Sequence, residues 1–448
     1  MVLVQNRAIS IQAPICIRGL KHHFQLFRFL CCVGLGVSFL ALPPNANAQL
    51  QPNHDIKLVL QITVDGLRAD LLNRYQPSFT KDGFQYLLQN GTVYSNSHYQ
   101  HANTETIVGH TTLATGTYPS IHGMVGNVMF DRANSELTYN IEDPNAPLLA
   151  SRDEVITGEQ VDPSQKLART KGRSPAAILV PTFGDGLVAF YGGQSKVFGV
   201  SGKDRGAVAM AGHSGKAFWY STDSGDFITS EYYYDEYPNW VTAWNDQRKA
   251  ESYAGREWAL SDDASTYLLA GQDDRPYEVD LRGYGRTFPH QFGDADSKLL
   301  YTQLIVSPVG DQLIADFAKT LINSEQLGQN RVPDYLSVSF SSVDATNHFF
   351  GPSSLENEEV VRQLDQTLSD LFKFIDKQVG LKHTLIVLSA DHGMADLPEY
   401  MSELGYAAGR LDPDELVAVA NKAGQELGID EVVRFFFRPY LYLNDDNI

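Results

Sequence analysis

The chain has 448 residues, of which 43% are hydrophobic, and it carries a formal net charge of −19 at pH 7. This acidic balance argues against nucleic-acid binding as a main role, because phosphate backbones are bound by clustered lysines and arginines. The length and apolar content supply a large core, either as two domains or as one large α/β domain with an insertion.

The first 48 residues have the pattern of a secretory signal peptide. Four basic residues and no acidic residue accompany an apolar segment at 29–42, and an A-x-A sequence ends at Ala48. The apolar segment is shorter than the roughly 20 residues of a membrane-spanning helix, so we expect cleavage after Ala48 and no stable membrane anchor. We therefore expect a periplasmic or secreted protein. The mature chain forms no disulfide, since every cysteine lies in this segment: Cys16, Cys31 and Cys32.

The first strand of the mature chain is followed directly by an acid. Residues 57–64 form an apolar run that predicts a buried strand, and the run ends at Asp65. Further on, residues 101–116 are rich in threonine, and a helix is expected to start near Thr106. A helix N-terminus suits an anion or an ionised hydroxyl, although helix capping is the commoner role of threonines.

From about residue 130 to 300 the chain has many glycines, aspartates and aromatic residues but few periodic apolar runs. We interpret this stretch as a long insertion over the active-site face. Within it, residues 195–200 predict a strand, and Lys203 and Arg205 follow. Strand alternation would put both side chains on the same side, where they could bind one anion. A Lys-x-Arg pair alone is more often a solvated surface.

The remaining predicted elements complete an α/β pattern. Apolar residues at helical spacing predict helices over 309–322 and 355–376. Short apolar runs at 335–340 and 385–388 predict two more buried strands. This alternation of strands and helices indicates a largely parallel central sheet with helices on both faces.

Three of the predicted strands are followed by side chains that bind metals. Asp65 follows the first, Asp344 and His348 follow the second, and Asp391 and His392 follow the third. Ligands of open α/β sheets bind at the carboxyl ends of the strands, so these side chains are expected to meet in one site. A single aspartate after a strand is more often a turn or cap residue. Three such aspartates, two of them with a nearby histidine, favour a shared metal site.

Taken in order, these motifs resemble the alkaline phosphatase superfamily, and the resemblance covers the chain from about residue 56 to its end. Thr106 in the nucleophile position and the Lys203-Asp204-Arg205 sequence are similar to the monomeric, phosphate-irrepressible alkaline phosphatases. The resemblance therefore implies one α/β domain over residues 49–448. It is carried by Val64-Asp65-Gly66-Leu67-Arg68-Ala69-Asp70, Thr106-Ile107-Val108-Gly109-His110, Gly116-Thr117-Tyr118-Pro119-Ser120-Ile121-His122-Gly123, Asp344 with His348, and Ala390-Asp391-His392-Gly393.

This resemblance implies a monomer that binds two zinc ions. It implies that Thr106 attacks phosphorus to form a phosphothreonine, while Asn127, Lys203 and Arg205 bind the oxygens of the transferred group. The implied ligands of one ion are Asp65, Thr106, Asp391 and His392, and those of the other are Asp344 and His348.

Two features depart from the family pattern. Asn347 precedes His348, where the family usually has glycine. The second zinc site is expected to have another histidine near the C-terminus, and no histidine follows His392 in this sequence. We therefore expect a truncated chain whose C-terminal part is missing.

The resemblance implies an exported zinc phosphatase that hydrolyses small phosphate monoesters. Two charged donors favour a monoester, because its transferred group carries an additional negative oxygen. One alternative is a phosphodiesterase or nucleotide pyrophosphatase of the same superfamily. Another is a truncated, inactive protein that only binds phosphate esters.

Overall fold

The structure is a computed structural model that describes residues 2–4, 55–149, 164–281 and 283–448. Of the predicted signal segment it describes only residues 2–4, so the expected cleavage point at Ala48 lies outside the described residues. None of the helices in these ranges has the length and apolar character that a membrane span requires.

The strands of the described residues form one large sheet and three two-stranded sheets. In chain order they are β1 (Val2–Val4), β2 (Leu58–Val64), β3 (Thr92–Val93), β4 (Val128–Asp131), β5 (Glu136–Tyr139), β6 (Leu148–Leu149), β7 (Val197–Ser201), β8 (Lys216–Tyr220), β9 (Phe227–Ser230), β10 (Glu257–Trp258), β11 (His290–Gln291), β12 (Asp334–Phe340), β13 (Thr384–Ser389), β14 (Val433–Phe437) and β15 (Tyr440–Leu443).

The α-helices of the described residues are α1 (Ala69–Tyr75), α2 (Phe84–Asn90), α3 (Thr106–Thr115), α4 (Pro119–His122), α5 (Phe183–Phe190), α6 (Asp204–Ala211), α7 (Asn239–Asn245), α8 (Leu300–Val306), α9 (Pro308–Ser324), α10 (Ser342–Phe350), α11 (Leu355–Gln378), α12 (Pro398–Glu403) and α13 (Pro413–Glu426). Short 3₁₀ helices occupy Gln76–Ser78, Gln165–Leu167, Ala250–Tyr253, Ala264–Thr266, Ala270–Gln272 and Leu381–His383.

The large sheet has the strand order β3-β1-β13-β2-β12-β7-β8-β9-β6. Its five central strands, from β13 to β8, are parallel, and the pairs at both margins are antiparallel. The register places Val64 opposite Phe340 and Thr63 opposite Ser389, so the carboxyl ends of β2, β12 and β13 are level. The predicted α/β fold with a largely parallel sheet is confirmed, and the residues after these strands emerge at one edge.

Both faces of the sheet are covered, which explains why its strands are nearly continuous apolar runs. Leu58, Leu60 and Ile62 of β2 pack in the main core together with side chains of helices α8 to α11. Val59 points to the other face, where it packs with residues of α3, α5 and α6. The sheet is therefore a buried and rigid support for the loops at its carboxyl edge.

The two long helices predicted from apolar spacing are confirmed as α9 and α11. Each begins with a serine cap: the Ser307 hydroxyl accepts a hydrogen bond from the Val309 N–H, and the Ser354 hydroxyl accepts one from the Asn357 N–H. Pro308 also occupies the first turn of α9, where its missing N–H is not needed.

The interpretation of 130–300 as an insertion over the active-site face is too broad. This range contributes β7, β8 and β9 to the central sheet, and every residue of β7 is buried. Its aromatic residues also belong to the main core, because Phe218, Phe227 and the indole of Trp240 surround Phe317 of α9 at 4.1–5.5 Å between ring centroids. Clustered aromatic residues here form core packing between the sheet and α9.

Replacement of Phe317 by alanine is expected to lower the free energy of unfolding by about 3–5 kcal/mol, because the ring lies at the centre of this aromatic cluster and is fully buried. Leu427→Ala is the control, since Leu427 is 80% exposed, and it should change this free energy by about 0.5 kcal/mol or less. Urea denaturation measures both. Equal effects of the two substitutions would contradict the described core.

Candidate functional site

Four adjacent parallel strands deliver the candidate site residues to one edge of the sheet. Asp65 directly follows β2, and Lys203 follows β7 by two residues. Asp344 lies in the first turn of α10, which begins just after β12. Asp391 and His392 lie just beyond the end of β13. The predicted convergence at the carboxyl edge therefore follows from the strand order and register.

Lys203 lies between two of the three aspartates. Its Nζ forms an ion pair with Asp65 Oδ2 at 2.8 Å. The same Nζ donates a hydrogen bond to Asp344 Oδ2. His392 Nε2 lies 3.3 Å from Asp65 Oδ1 and 3.6 Å from Asp391 Oδ2. These contacts bring Asp65, Asp344, Asp391 and His392 into one cluster.

His348 extends this cluster towards solvent. Residues 344 and 348 both lie in α10, about one helical turn apart, and His348 Nε2 is 3.4 Å from Asp344 Oδ2. Its side chain is 62% exposed, whereas the three aspartates are buried. His348 therefore lies at the mouth of the site.

The residue that departs from the family pattern has a structural role. Asn347 Nδ2 donates to the Gly66 carbonyl oxygen at 3.5 Å, and Asn347 Oδ1 accepts a 2.6 Å hydrogen bond from Asn357 Nδ2. The Gly66 N–H in turn donates to Asp391 Oδ1 at 3.1 Å. The side chain that replaces glycine thus connects α10 and α11 to the loop after β2.

Electrostatics keep the carboxylates of Asp344 and Asp391 ionised although both are buried. Burial alone would raise the pKa of Asp391, but the positive charge of His392 outweighs it and holds that pKa well below its usual range. For Asp344, the charge of Lys203 overcomes the same effect of burial and lowers the pKa. Burial lowers the pKa of His392, whereas Asp391 and Asp65 raise it, with a net rise to about 10.

The residues of the cluster fit a metal ion. Asp65, Asp344 and His392 each offer one ligand atom, and these atoms lie within 4.8 Å of one another. Within this cluster, four buried carboxylate oxygens have no hydrogen-bond partner among the described residues: Asp65 Oδ1, Asp65 Oδ2, Asp344 Oδ1 and Asp391 Oδ2. Buried carboxylates are paired or coordinate metals, and carboxylate with imidazole is a ligand set that zinc accepts.

Thr106 is the first residue of α3, as expected, and it is buried. Its hydroxyl lies 3.4 Å from Arg205 Nη2, so the proposed nucleophile and one anion-binding cation are neighbours. Asn127 is held close by, because its Oδ1 accepts a 3.0 Å hydrogen bond from the Ile107 N–H. The Asn127 NH₂ group, on the opposite side of the same carbon, carries the remaining donors.

The prediction that Lys203 and Arg205 lie on one side of a strand was wrong, although both residues reach the site. We expected strand alternation to align them, but β7 ends at Ser201 and Lys203 is the N-cap of α6. Arg205 lies in the first turn of that helix. The turn from strand to helix brings Lys203 to the aspartates and Arg205 to Thr106.

Arg205 belongs to a buried network that the sequence did not reveal. Its Nη1 donates a hydrogen bond to the Tyr139 hydroxyl at 3.5 Å. Asp204 Oδ1 accepts a 2.7 Å hydrogen bond from the Tyr139 hydroxyl, and Arg173 Nε donates to Asp204 Oδ2 at 2.7 Å. Burial opposes ionisation of Asp204, but Arg173 and then Arg205 lower its pKa. These residues are distant in sequence, so no local pattern links them.

The sequence also did not reveal the role of His110. Its Nδ1 lies 2.8 Å from the Thr106 carbonyl oxygen and 3.1 Å from Asp391 Oδ2, and its Nε2 lies 2.8 Å from Ser339 Oγ. This buried imidazole thus connects α3 with the ends of β12 and β13. Its position one helical turn after Thr106 was the available signal.

The fold and site together define an α/β protein with a candidate metal centre and cationic groups for an anion. Residues 59–415 match the sequence model of the type I phosphodiesterase / nucleotide pyrophosphatase family. The chain therefore belongs to this family, within the alkaline phosphatase superfamily.

Three relatives show the extent of the similarity. A protein of Myroides odoratus named calcium-transporting ATPase is 32% identical over 393 residues, which cover 87% of this chain and 69% of that protein. The alkaline phosphatase PhoV of Synechococcus elongatus is 33% identical over 386 residues, which cover 83% of this chain and 66% of PhoV. The alkaline phosphatase PafA of Elizabethkingia meningoseptica is 32% identical over 392 residues, which cover 87% of this chain and 69% of PafA.

PafA is also similar in structure. Its wild-type crystal structure has a TM-score of 0.76 and 30% sequence identity, covering 88% of this chain and 73% of that chain. In a second PafA structure, one threonine, one asparagine, one lysine and one arginine are substituted. The threonine and asparagine are as far apart in sequence as Thr106 and Asn127, and the lysine and arginine as far apart as Lys203 and Arg205.

Gly66→Ala is expected to disrupt the site, because the added Cβ would lie 2.9 Å from Asp344 Cβ at a backbone φ of +72°. Gly116→Ala is a matched control: its φ is +65°, but nothing lies within 4 Å of the added Cβ. We expect both variants to lose about 1–2 kcal/mol of stability from backbone strain. Only Gly66→Ala should also retain much less bound metal after dialysis, measured by elemental analysis. Equal metal retention in the two variants would contradict the described packing of Gly66 against Asp344.

Proposed function

We propose that this protein is a zinc-dependent phosphatase that hydrolyses phosphate monoesters through a phosphothreonine at Thr106. The observation that carries the proposal is the convergence of a buried threonine hydroxyl, two cationic side chains and a carboxylate-histidine cluster at one sheet edge. The names of PhoV and PafA as alkaline phosphatases support the same activity.

The proposed metal ligands divide into two sets. When bound, zinc would act as a Lewis acid that favours ionisation of a hydroxyl or water and stabilises the charge on the entering and leaving oxygens. The first set consists of Asp65, Thr106, Asp391 and His392, and the second of Asp344 and His348.

Thr106 performs the first displacement. Its hydroxyl gives its proton to solvent water, Oγ1 forms a bond to phosphorus, and the bond from phosphorus to the leaving oxygen breaks. The leaving oxygen keeps the electron pair of that bond and takes a proton from water, which releases the alcohol. The position of Thr106 in the first turn of α3 helps, because the positive end of the helix dipole favours negative charge there. Water then attacks the phosphothreonine, inorganic phosphate leaves, and Thr106 regains its proton.

The transferred group is held by donors that match its charge. Arg205, 3.4 Å from the Thr106 hydroxyl, is placed to bind a non-bridging oxygen through its guanidinium. Lys203 and the Asn127 NH₂ group would bind the others. Positioning and charge stabilisation of this kind are most of what phosphoryl transfer requires. The spacings shared with the residues substituted in PafA support these assignments.

A second candidate function is diester or pyrophosphate hydrolysis, which the name of the matching family favours. A diester presents an esterified oxygen where a monoester presents a charged one, so it gains less from two cations. The same site would then act on nucleotides, and ATP is a necessary test substrate because one relative is named an ATPase.

We also propose that the chain is exported and acts as a monomer. Export is supported by the basic and apolar pattern of residues 1–48 and the A-x-A sequence at Ala48. Expression in a bacterium, followed by fractionation and N-terminal sequencing, tests cleavage after Ala48. Light scattering of the purified protein tests the monomer.

Substrate preference tests the proposed function directly. The zinc-loaded protein should hydrolyse an aryl phosphate monoester at least about 100-fold faster than the matched diester or ATP, measured as kcat/KM. Lys203→Ala should lower the monoester value by about 100-fold to 1000-fold and the diester value much less. Lys422→Ala, at an exposed position of α13, is the control. Faster hydrolysis of the diester, with little effect of Lys203→Ala, would establish the second candidate instead.

The covalent intermediate is tested at Thr106. Thr106→Ala should lower the turnover of the monoester by at least about 1000-fold, because the nucleophile is lost. Acid quenching of the wild-type protein during turnover, followed by peptide mass spectrometry, should find one phosphoryl group on Thr106. Ser120→Ala, an exposed hydroxyl in α4, serves as control. A phosphoryl group on another residue, or full activity of Thr106→Ala, would contradict the mechanism.

A further inference from the structure

Glu105 directly precedes the proposed nucleophile, and its carboxylate has a specific partner. Glu105 Oε2 accepts a hydrogen bond from the backbone N–H of Asn127. As the N-cap residue of α3, Glu105 does not cap the helix with its side chain. The carboxylate is therefore directed to the loop that carries Asn127.

Asn127 is also bonded to the residue that follows the proposed nucleophile. Its side-chain Oδ1 accepts a 3.0 Å hydrogen bond from the Ile107 N–H. The residues before and after Thr106 are thus both bonded to Asn127, one through the backbone of Asn127 and the other through its side chain. Because an N–H donor fixes the amide oxygen next to Ile107, the orientation of the NH₂ group is fixed as well.

The loop before Asn127 is closely packed against the same segment. A Cβ added at Gly126 would lie 3.0 Å from the Val128 carbonyl oxygen and 3.4 Å from Glu105 Oε2. Asn103 Nδ2 donates to the Val125 carbonyl oxygen at 2.8 Å. The Glu105 contact is therefore one of two hydrogen bonds that attach residues 125–127 to the segment before α3, and Asn103 makes the other.

We propose that Glu105 is a positioning residue for phosphoryl transfer, which fixes the loop of Asn127 so that the Asn127 NH₂ group faces the group attacked by Thr106. This inference rests on the proposed function. A carboxylate close to an anionic substrate is electrostatically unfavourable, so its presence needs a structural reason. The hydrogen bond that it accepts from the Asn127 N–H is such a reason. The role requires a hydrogen-bond acceptor at position 105 but not a charge.

A double-mutant cycle on the zinc-loaded full-length protein tests the proposal, with an aryl phosphate monoester as substrate. Glu105→Ala and Asn127→Ala should each lower kcat/KM by about 10-fold to 100-fold, because each removes the aligned donor. The double variant should be no more than about threefold worse than Asn127→Ala, since both changes remove one interaction. Glu105→Gln keeps an acceptor and should recover most of the activity. Glu426→Ala, an exposed glutamate in α13, is the control.

A second measurement separates positioning from general damage. Hydrogen exchange at the backbone N–H of residue 127 should be faster in Glu105→Ala than in wild type. It should stay slow in Glu105→Gln and in Asn127→Ala, because both variants keep a hydrogen-bond acceptor at position 105. Additive effects in the cycle, or a Glu105→Gln variant as poor as Glu105→Ala, would overturn the proposal. If the wild-type protein hydrolyses no monoester, the proposed function fails by itself. Glu105 is then judged by inorganic phosphate binding, which Glu105→Ala and Asn127→Ala should weaken equally.

Discussion

The level register of the central parallel strands is the constraint on which the site depends. Because Val64, Phe340 and Ser389 end neighbouring strands at one edge, Asp65, Asp344 and Asp391 become close neighbours in a buried setting. Buried carboxylates at such distances repel one another and are costly to desolvate. Cationic groups must therefore accompany them, which is why Lys203 and His392 lie among them.

The requirement for positive charge beside the buried aspartates also bears on the function of the site. The cations present balance the site only in part, since the described residues leave carboxylate oxygens of Asp65, Asp344 and Asp391 without a hydrogen-bond partner. Divalent ions would complete this balance and would place positive charge beside Thr106. Arg205 adds a fixed charge near the Thr106 hydroxyl, held in place by Asp204 and its partners. An arrangement of this kind favours a strongly anionic ligand over a neutral one.

The sequence predicted those parts of the molecule that local patterns encode. The apolar runs before Asp65, Asp344 and Asp391 specify buried strands, and apolar residues at helical spacing specify α9 and α11. Interactions between distant segments were not predictable in this way. The contact of Arg173 with Asp204 and that of Glu105 with Asn127 depend on where loops meet in space. Lys203 and Arg205 illustrate both cases. Their closeness in sequence identified them as candidate residues, but they reach the site from the start of a helix and not from a strand.

We propose that this edge of the sheet holds two zinc ions next to Thr106 and Arg205. Anomalous diffraction at the zinc edge, from crystals of the zinc-loaded protein grown with inorganic phosphate, measures this most directly. The account predicts two zinc peaks about 4 Å apart, one among Asp65, Asp391 and His392 and the other at Asp344 and His348, with phosphate between them and Arg205. Zinc found elsewhere, or phosphate bound away from Thr106, would contradict it.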